Sequence, residues 1–430
     1  MQTYTKIINI YGVSKSNMEN LKENRKVLTG LLSAAIRGEA CHLLYAGIDW
    51  QTIFDEAVQH QVMPLLYPLL VEIGGNIGVS ETLLGKWRIN ALSQGIGQEQ
   101  NYFGIENTLV CFSKAGIPVI VLKGLVLREL YPHPCLRTMG DVDLLVKPGD
   151  MEKAGRILVE AGYRMYSDKG KHTEYSHEIL PYVELHRSMT HDGYFEKNTD
   201  FETEVWNRAV TVKVCGTTVL SLCPQDKVLY LSLHMAEHIV SSGFGLRQLC
   251  DFVVLIETYR SEIDWIELFS RAALCHIDIF LNVLLEACHD LFDLELPEIY
   301  QEYKPQDVSL VRSFIDDIFD GGVFGMNSTE RITANRLLYY NSGNKAKGLR
   351  QKFHVFMSLL LPKAAKLDTR FDYAREHHLL LPIAWIHRIC YIILRKDIEF
   401  AEKTAVLASG APAYICSKRG ALLRQLGLLD

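Results

Sequence analysis

The sequence predicts an α+β fold, in which a small mixed-sheet unit is flanked by N-terminal and C-terminal helical regions. Residues 26–115 place apolar side chains at the three-to-four spacing of amphipathic helices. Residues 116–223 contain short β-branched runs bounded by glycine and proline, a pattern typical of strands and turns. Helical spacing returns over residues 224–430. With a polar N-terminal segment at residues 1–25, the chain divides into four regions.

Composition limits the function classes. The chain has 430 residues, of which 48% are hydrophobic and 22% charged, and a net charge of -6. This balance argues against extended nucleic-acid binding, which needs a basic surface. The start lacks the basic and apolar regions of a signal peptide, and we expect no membrane span. The ten cysteines form no CxxC pair, which favours reduced thiols in a cytoplasmic protein.

The most apolar stretch, LLLPIAWIHRICYIIL at residues 379–394, is interrupted by Pro382, His387 and Arg388. It therefore predicts a buried helix rather than a membrane-spanning one.

The central region alternates strands and helices. MEKAGRILVEAGY, starting at Met151, has helical periodicity and a stop at Gly162. The predicted strands are IPVIVLKG (117–124), DVDLLVKPGD (141–150), HTEYSHEILP (172–181) and YVELHRSM (182–189), with a hairpin at the sheet edge in VKVCGTTVLSL (212–222). Ser80 is a candidate N-cap for the helix that begins ETLLGKW.

Two carboxylates open the strand DVDLLV. Asp141 and Asp143 point to the same face of a strand, because side chains alternate. Two like charges this close repel unless a cation lies between them, and hard oxygen ligands suit Mg²⁺ or Mn²⁺. The alternative is a polar strand start at a turn, which is the commoner reading of an isolated Asp-x-Asp.

The surrounding sequence favours the metal site. Lys123 and Gly124 close the preceding strand where a helix opens, and glycine at such a turn lets backbone amides approach a phosphate. Glu184 adds a third carboxylate inside the apolar strand YVELH.

This ordered set resembles the nucleotidyltransferase superfamily of the DNA polymerase beta type. More narrowly, VLKGLVLRELYPHPCLRTMGDVDLLV followed by VELHRS is similar to a bacterial family of uncharacterised nucleotidyltransferases. The resemblance covers residues 100–395 and is strongest over 119–146. Leu-Lys-Gly stands where the wider superfamily has Gly-Gly or Gly-Ser, so Lys123 leaves open how the triphosphate is cradled.

The resemblance implies transfer of a nucleoside monophosphate from an NTP to a hydroxyl, with release of pyrophosphate. Asp141 and Asp143 would hold divalent ions, with Glu184 as third ligand or general base. Gly124 and Lys123 would contact the phosphates. An arginine before the Asp-x-Asp is usual in the family, and Arg137 fits. It would contact a phosphate or form an ion pair with Asp141 or Glu129.

Five further positions are candidates for contacts with acceptor or base. His186 shares a strand face with Glu184, where it would orient a metal-bound water or cap the strand end. Arg247 and Asp251 lie four residues apart, which fits either a helix ion pair or an acceptor cleft. His234 and His238 also qualify, and the stretch HMAEH that they bound is treated next.

HMAEH reads as a zinc-protease pattern. His234 and His238 lie on one helix face, and Glu237 would be the base. The candidates for a third ligand are Glu257, Glu262 and Glu267. The alternatives are a helix packed beside a nucleotide and a plain structural pair.

Three functions therefore remain at the sequence level. The leading one is a Mg²⁺-dependent (or Mn²⁺-dependent) nucleotidyltransferase, ahead of a non-catalytic regulatory protein on the same fold and a zinc hydrolase. The acceptor (a small molecule, a sugar, a protein or a tRNA end) and the identity of the NTP, ATP included, cannot be read from the sequence.

Overall fold

The computed structural model describes most of the chain. The described residues are 15–40, 48–73, 78–168, 170–189, 199–325, 328–343, 377–395 and 409–429, with scattered positions between 357 and 374 and residue 406. Helix begins at Lys15, within the segment that the sequence suggested was polar and irregular, whose first 14 residues lie outside the described part.

The chain forms two compact units. The first comprises Met1–Glu237 and Gly245–Ile315, and the second comprises His238–Phe244 and Asp316–Asp430. The four-part division drawn from the sequence stays a prediction.

Helices make up most of the first unit. They are α1 (Lys15–Arg37), α2 (Trp50–Gln59), α3 (Met63–Ile73), α4 (Glu81–Lys114), α5 (Gly124–Leu127), α6 (Met151–Glu160), α7 (Thr199–Arg208), α8 (Pro224–Ser241, whose end belongs to the second unit), α9 (Leu246–Tyr259), α10 (Trp265–Leu274) and α11 (Asp278–Phe292). The predicted cap of α4 is confirmed, because the Ser80 hydroxyl accepts a hydrogen bond from the Leu83 amide at 3.3 Å.

A seven-stranded mixed sheet lies in the first unit. Its strands are β1 (Ile120–Val121), β2 (Asp141–Leu145), β3 (Arg164–Asp168), β4 (His172–Ser176), β5 (Tyr182–His186), β6 (Val210–Val214) and β7 (Thr217–Ser221). The spatial order is β3-β4-β5-β2-β1-β7-β6, and β2 runs parallel to β5 but antiparallel to β1. The predicted α+β fold with flanking helical regions is confirmed, although β1 is shorter than expected and β3 was not foreseen.

The predicted hairpin is confirmed at the edge of this sheet. β6 and β7 pair antiparallel, and β6 is the outermost strand. The connecting residues Cys215 and Gly216 both have positive φ, at 51° and 67°. Two such residues in succession make the turn whose twist matches the flanking strands.

The two faces of the sheet differ in chemistry. One face packs Val142, Leu144, Val183 and Leu185 into a core with apolar side chains of α4 and α6. Because side chains alternate along a strand, Asp141, Asp143 and Glu184 lie on the other face. The apolar residues between them therefore fix where these carboxylates point.

The second unit contains the end of α12 (Val308–Gly321) with α13 (Thr329–Gly343), α14 (Leu381–Arg395) and α15 (Ala411–Gln425). Asp317 accepts hydrogen bonds from Arg331 and Arg419 in its interior. No helix within the described ranges has the length and apolar character needed to cross a bilayer.

The sequence predicted that residues 379–394 form a buried helix, and this is only half right. They form α14 and the turn before it, but Leu379, Ile383 and Ile386 are 94%, 56% and 64% exposed. Apolar composition alone does not determine which neighbours cover a helix, so burial could not be inferred from it.

Candidate active site

Two of the predicted carboxylates meet across neighbouring strands. Asp143 on β2 is the register partner of Glu184 on β5, and Asp141 pairs with Tyr182 two residues earlier on each strand. Partners in register project to the same face, so the three carboxylates form one group within the first three residues of each strand. Asp143 is only 3% exposed, Glu184 is half-buried, and Asp141 is the most exposed of the three.

Lys123 is in direct contact with this group. Its Nζ lies 2.9 Å from Asp143 Oδ1 and 3.3 Å from His234 Nε2. Lys123 has φ 37° and ψ -123° between β1 and α5, a backbone conformation that non-glycine residues rarely adopt. Such strain costs on the order of 1–3 kcal/mol and persists where the surrounding structure holds it, commonly at functional sites.

Two histidines complete the cluster. His186 Nε2 lies 3.0 Å from Asp143 Oδ1 and 3.3 Å from Glu184 Oε2. His172, on β4, is the register partner of His186, and its Nε2 lies 3.8 Å from Glu184 Oε2. Glu174 follows on the same face of β4, 3.6 Å from His172. The site therefore spans three adjacent strands.

The charges around Asp143 keep it ionised. Burial alone would raise the pKa of its carboxyl, but the Lys123 ammonium and the hydrogen bond with His186 hold that pKa well below its usual range. Burial lowers the pKa of His186, yet its bonds with Asp143 and Glu184 outweigh burial and leave the pKa raised. Asp143 thus stabilises the charged forms of Lys123 and His186, and both of them stabilise its ionised form.

The pKa values of Asp141 and Glu184 shift in opposite directions. Burial, followed by the charge of Asp143, raises the pKa of Asp141. For Glu184, burial is outweighed by the hydrogen bond with His186, and the pKa lies below its usual value. The surroundings of Asp141 thus favour its protonated form, whereas the hydrogen bond from His186 favours the ionised form of Glu184.

The residues present fit a divalent cation. Three carboxylates share one strand face. The group with metal-ligand spacing in the described part of the chain consists of His172, Glu184 and His186, with one potential ligand atom of each within 4.8 Å of the others, and it includes neither Asp141 nor Asp143. Carboxylate oxygens suit Mg²⁺ and Mn²⁺, and imidazole nitrogens favour the transition metal of the two.

The predicted phosphate-binding glycine is buried beneath Arg137. A Cβ at Gly124 would lie 2.9 Å from Arg137 Nη1 and 3.3 Å from Met139 Cγ, so the absence of a side chain is needed for this packing. The helix it opens, α5, has only four residues. A nucleotide contact at Gly124 stays a prediction.

Arg137 has a different ion-pair partner from those that the sequence suggested. Its guanidinium donates to both carboxylate oxygens of Asp251, from Nε to Oδ1 at 3.0 Å and from Nη2 to Oδ2 at 2.5 Å. The Tyr131 hydroxyl donates to the same carboxylate at 2.8 Å. Asp141 and Glu129 were the expected partners, but Asp251 reaches Arg137 from α9, a contact between residues 114 positions apart.

Arg247 and Asp251 do not act as a simple helix pair. Arg247 donates to Gln61 Oε1 at 2.8 Å and to the Thr138 carbonyl at 3.2 Å, while Asp251 is engaged by Arg137. Burial and the nearby charge of Arg137 lower the pKa of Arg247 to about 10. Arg247 thus braces the loop that leads into Asp141.

In the described part of the chain, the residues of the zinc-protease pattern belong to no cluster of potential metal ligands. Within those ranges, the one cluster with metal-ligand spacing contains neither His234 nor His238. Glu237 faces Lys171 at 3.5 Å, and His238 belongs to the second unit. Two of the expected third ligands hold arginines instead, since Glu257 bonds Arg37 and Glu267 bonds Arg208. His234 lies against Lys123, next to the carboxylates.

Sequence reasoning missed the contribution of β4. His172 and Glu174 alternate with apolar or small residues in HTEYS, so period-two spacing placed them on one face. Their proximity to Glu184 depends on the antiparallel pairing of β4 with β5, which no local pattern specifies.

Comparison with known proteins assigns the chain to a family. A family model described as uncharacterised nucleotidyltransferase matches residues 46–293, more than half of the chain. The enzyme class that fold and site define is therefore nucleotidyltransferase, which moves a nucleoside monophosphate group from an NTP. Within that class, the chain belongs to the uncharacterised nucleotidyltransferase family.

Comparison with curated proteins finds no match. Among solved structures, the lincosamide antibiotic adenylyltransferase LnuA, in its lincomycin-bound form, is similar at 14% identity and a TM-score of 0.27. The match covers 35% of this chain and 94% of that one. A likeness at this level carries no argument about substrate.

Proposed function

We propose that this chain transfers a nucleoside monophosphate from an NTP to a hydroxyl group of an acceptor and releases pyrophosphate. The observation that carries the proposal is the meeting of Asp143 and Glu184 in register on parallel strands, with Asp141 on the same face and Lys123 at 2.9 Å from Asp143. Anionic oxygens beside a fixed ammonium group are suited to a metal-bound triphosphate.

The proposed reaction is an in-line displacement at the α-phosphorus. The acceptor oxygen forms a bond to the α-phosphorus, the bond to the bridging oxygen breaks, and pyrophosphate leaves with the electron pair. The hydroxyl proton passes to the Asp141 carboxylate, which is the most exposed of the three. Lys123 supplies positive charge on the phosphate side, and His186 keeps Asp143 and Glu184 oriented.

A divalent ion, Mg²⁺ or Mn²⁺, would be held by Asp141, Asp143 and Glu184. When bound, it neutralises the triphosphate and lowers the pKa of the attacking hydroxyl. The lowered pKa of Glu184 favours the role of ligand over that of general base.

The proposed donor is an NTP, with ATP as one candidate among the four. The cytoplasm is the proposed location, which the nine free cysteines among the described residues support.

The direct test follows both products. Each α-³²P-labelled NTP is incubated with the protein and Mg²⁺ or Mn²⁺, and with water, neutral sugars, tRNA or protein as acceptor. We expect one pyrophosphate for each labelled monophosphate transferred to the acceptor. Wild type and Asp168→Asn should have equal activity, because Asp168 is an exposed residue on β3. Glu184→Gln should lose at least about a hundredfold in rate, as expected when a transition-state charge loses its stabilising group.

Two results would reject the proposal. One is release of inorganic phosphate in place of pyrophosphate. The other is equal activity in wild type and Glu184→Gln, since a protein whose carboxylates do no chemistry tolerates their removal.

A further inference from the structure

An open pocket of about 640 Å³ lies beside the loop that leads into Asp141, in the first unit. Gln61 and Met63 from the turn between α2 and α3, the middle of α4, and the loop residues Thr138, Met139 and Gly140 form its walls. Gly140 directly precedes Asp141, and a Cβ placed on Gly140 would meet no atom within 4 Å. The pocket therefore opens at the start of β2, where Asp141 is accessible.

The lining is unusually rich in carboxamides. They are Gln61, Asn90, Gln94, Gln98, Gln100 and Asn101. The other residues that line it are apolar or small, and none of the residues that line it carries a charge. A carboxamide offers two donors and an acceptor, and a hydroxyl both donates and accepts. This lining suits a neutral ligand with many hydroxyl groups.

Two of the carboxamides hold the wall in place. Gln98 donates from Nε2 to the Met139 carbonyl at 3.0 Å and accepts from the Met139 amide at 3.2 Å. Gln61 accepts from Arg247 through its side chain and from Thr138 through its carbonyl. The side chains of Gln94 and Gln100 are exposed, so they remain accessible to a ligand.

The two lysines of the site lie away from the pocket, and Arg247, which donates to Gln61 and Thr138, does not itself line it. Lys123 contacts Asp143, and Lys171 faces Glu237. A triphosphate needs positive charge, which the pocket lining does not offer. The phosphates are therefore expected near Lys123, and the uncharged pocket is left for the second substrate.

We propose that this pocket binds the acceptor, and that the acceptor is a neutral, hydroxyl-rich molecule of the saccharide or polyol class. The inference rests on the proposed function, since it names the second substrate of that reaction. Bound there, a hydroxyl group of the ligand lies at the end of the pocket that meets Gly140, the residue before Asp141.

Two glycines of α4 give a matched pair of variants. Gly97 lines the pocket and Gly85 does not, and a Cβ at either would meet no atom within 4 Å. Gly97→Phe should fill the pocket, whereas Gly85→Phe should leave it open. Both should fold, because replacing glycine inside a helix removes backbone freedom from the unfolded chain.

The test is ligand-observed NMR with a panel of neutral saccharides and polyols, including glucose, maltose and inositol, with glucose 6-phosphate as the charged counterpart. We expect a neutral compound to bind wild type, to bind Gly97→Phe and Gln94→Leu at least tenfold more weakly, and to bind Gly85→Phe within twofold of wild type. Glucose 6-phosphate should bind more weakly than glucose.

A parallel thermal-shift measurement with Mg²⁺ and NTP separates this inference from the proposed function. Gly97→Phe should keep the nucleotide shift, and Asp143→Asn should lose it while still binding the saccharide. If no neutral compound binds, or if Gly97→Phe binds it unchanged, the inference is wrong. If Gly97→Phe loses the nucleotide shift, the pocket holds the nucleoside. If Asp143→Asn keeps that shift, it is the proposed function that fails.

Discussion

At the scale of single residues, the site depends on the neutralisation of a buried carboxylate by neighbouring cationic side chains. Asp143 is 3% exposed, and a buried carboxylate is costly unless it is paired and hydrogen-bonded. Lys123 and His186 both reach its Oδ1 within 3.0 Å. Lys123 combines this pairing with a backbone conformation that non-glycine residues rarely adopt, and its ammonium lies between Asp143 and His234.

The variant Gly124→Ala tests whether the absence of a side chain at this position is needed for packing or for nucleotide binding. Gly124→Ala should lower the free energy of unfolding by about 1–3 kcal/mol, because the new methyl group crowds Arg137 and Met139. Urea denaturation checks this, with Gly149→Ala as control, since a Cβ there meets nothing within 4 Å. Unchanged stability with weakened NTP binding would instead favour the phosphate contact.

At the scale of elements, buried polar contacts join segments that are distant in sequence. The Arg137–Asp251 pair ties the loop before β2 to α9, and Tyr131 adds a third group. His60, at the end of α2, accepts a hydrogen bond through Nδ1 from the Leu246 amide at the start of α9. The loop that delivers Asp141 is therefore held by contacts from the helical region.

The buried ion pair gives a prediction in two stages. Asp251→Ala should lower the free energy of unfolding by about 3–5 kcal/mol, because Arg137 keeps its charge without its partner. Arg137→Met combined with Asp251→Leu should recover most of that loss. The four states of this cycle are compared by urea denaturation. A single-variant cost below about 1 kcal/mol would mean that water replaces the partner.

His60 predicts a pH dependence of stability. Burial, with the charge of Arg25, lowers its pKa to about 3 from an ordinary value of 6.5. The unfolded chain therefore binds a proton first as the pH falls, and stability decreases below pH 6.5 by up to about 1.4 kcal/mol per pH unit. His60→Gln should remove this part of the slope. Equal slopes in both proteins between pH 6.5 and 5 would contradict the assignment.

At the scale of the whole molecule, the sequence predicted what local pattern determines. Alternation placed Asp141 and Asp143 on one strand face, and the β-branched and helical runs gave the α+β fold. The partner of Arg137 and the histidines around Glu184 depend on pairings across the sheet and between helices. Such long-range contacts leave no local signal, so β3, His172 and the amide-lined pocket were not foreseen.

The central claim is that Asp141, Asp143 and Glu184 form a metal-dependent nucleotide site. The most direct test is the thermal stability of wild type and Asp143→Asn with each of the four NTPs, with and without Mg²⁺ or Mn²⁺. At a nucleotide concentration of about 100 times Kd, the stabilisation should be about 2.7 kcal/mol. We predict a metal-dependent shift with at least one NTP in wild type and none in Asp143→Asn. Equal shifts in both proteins, or no shift with any nucleotide, would contradict the claim.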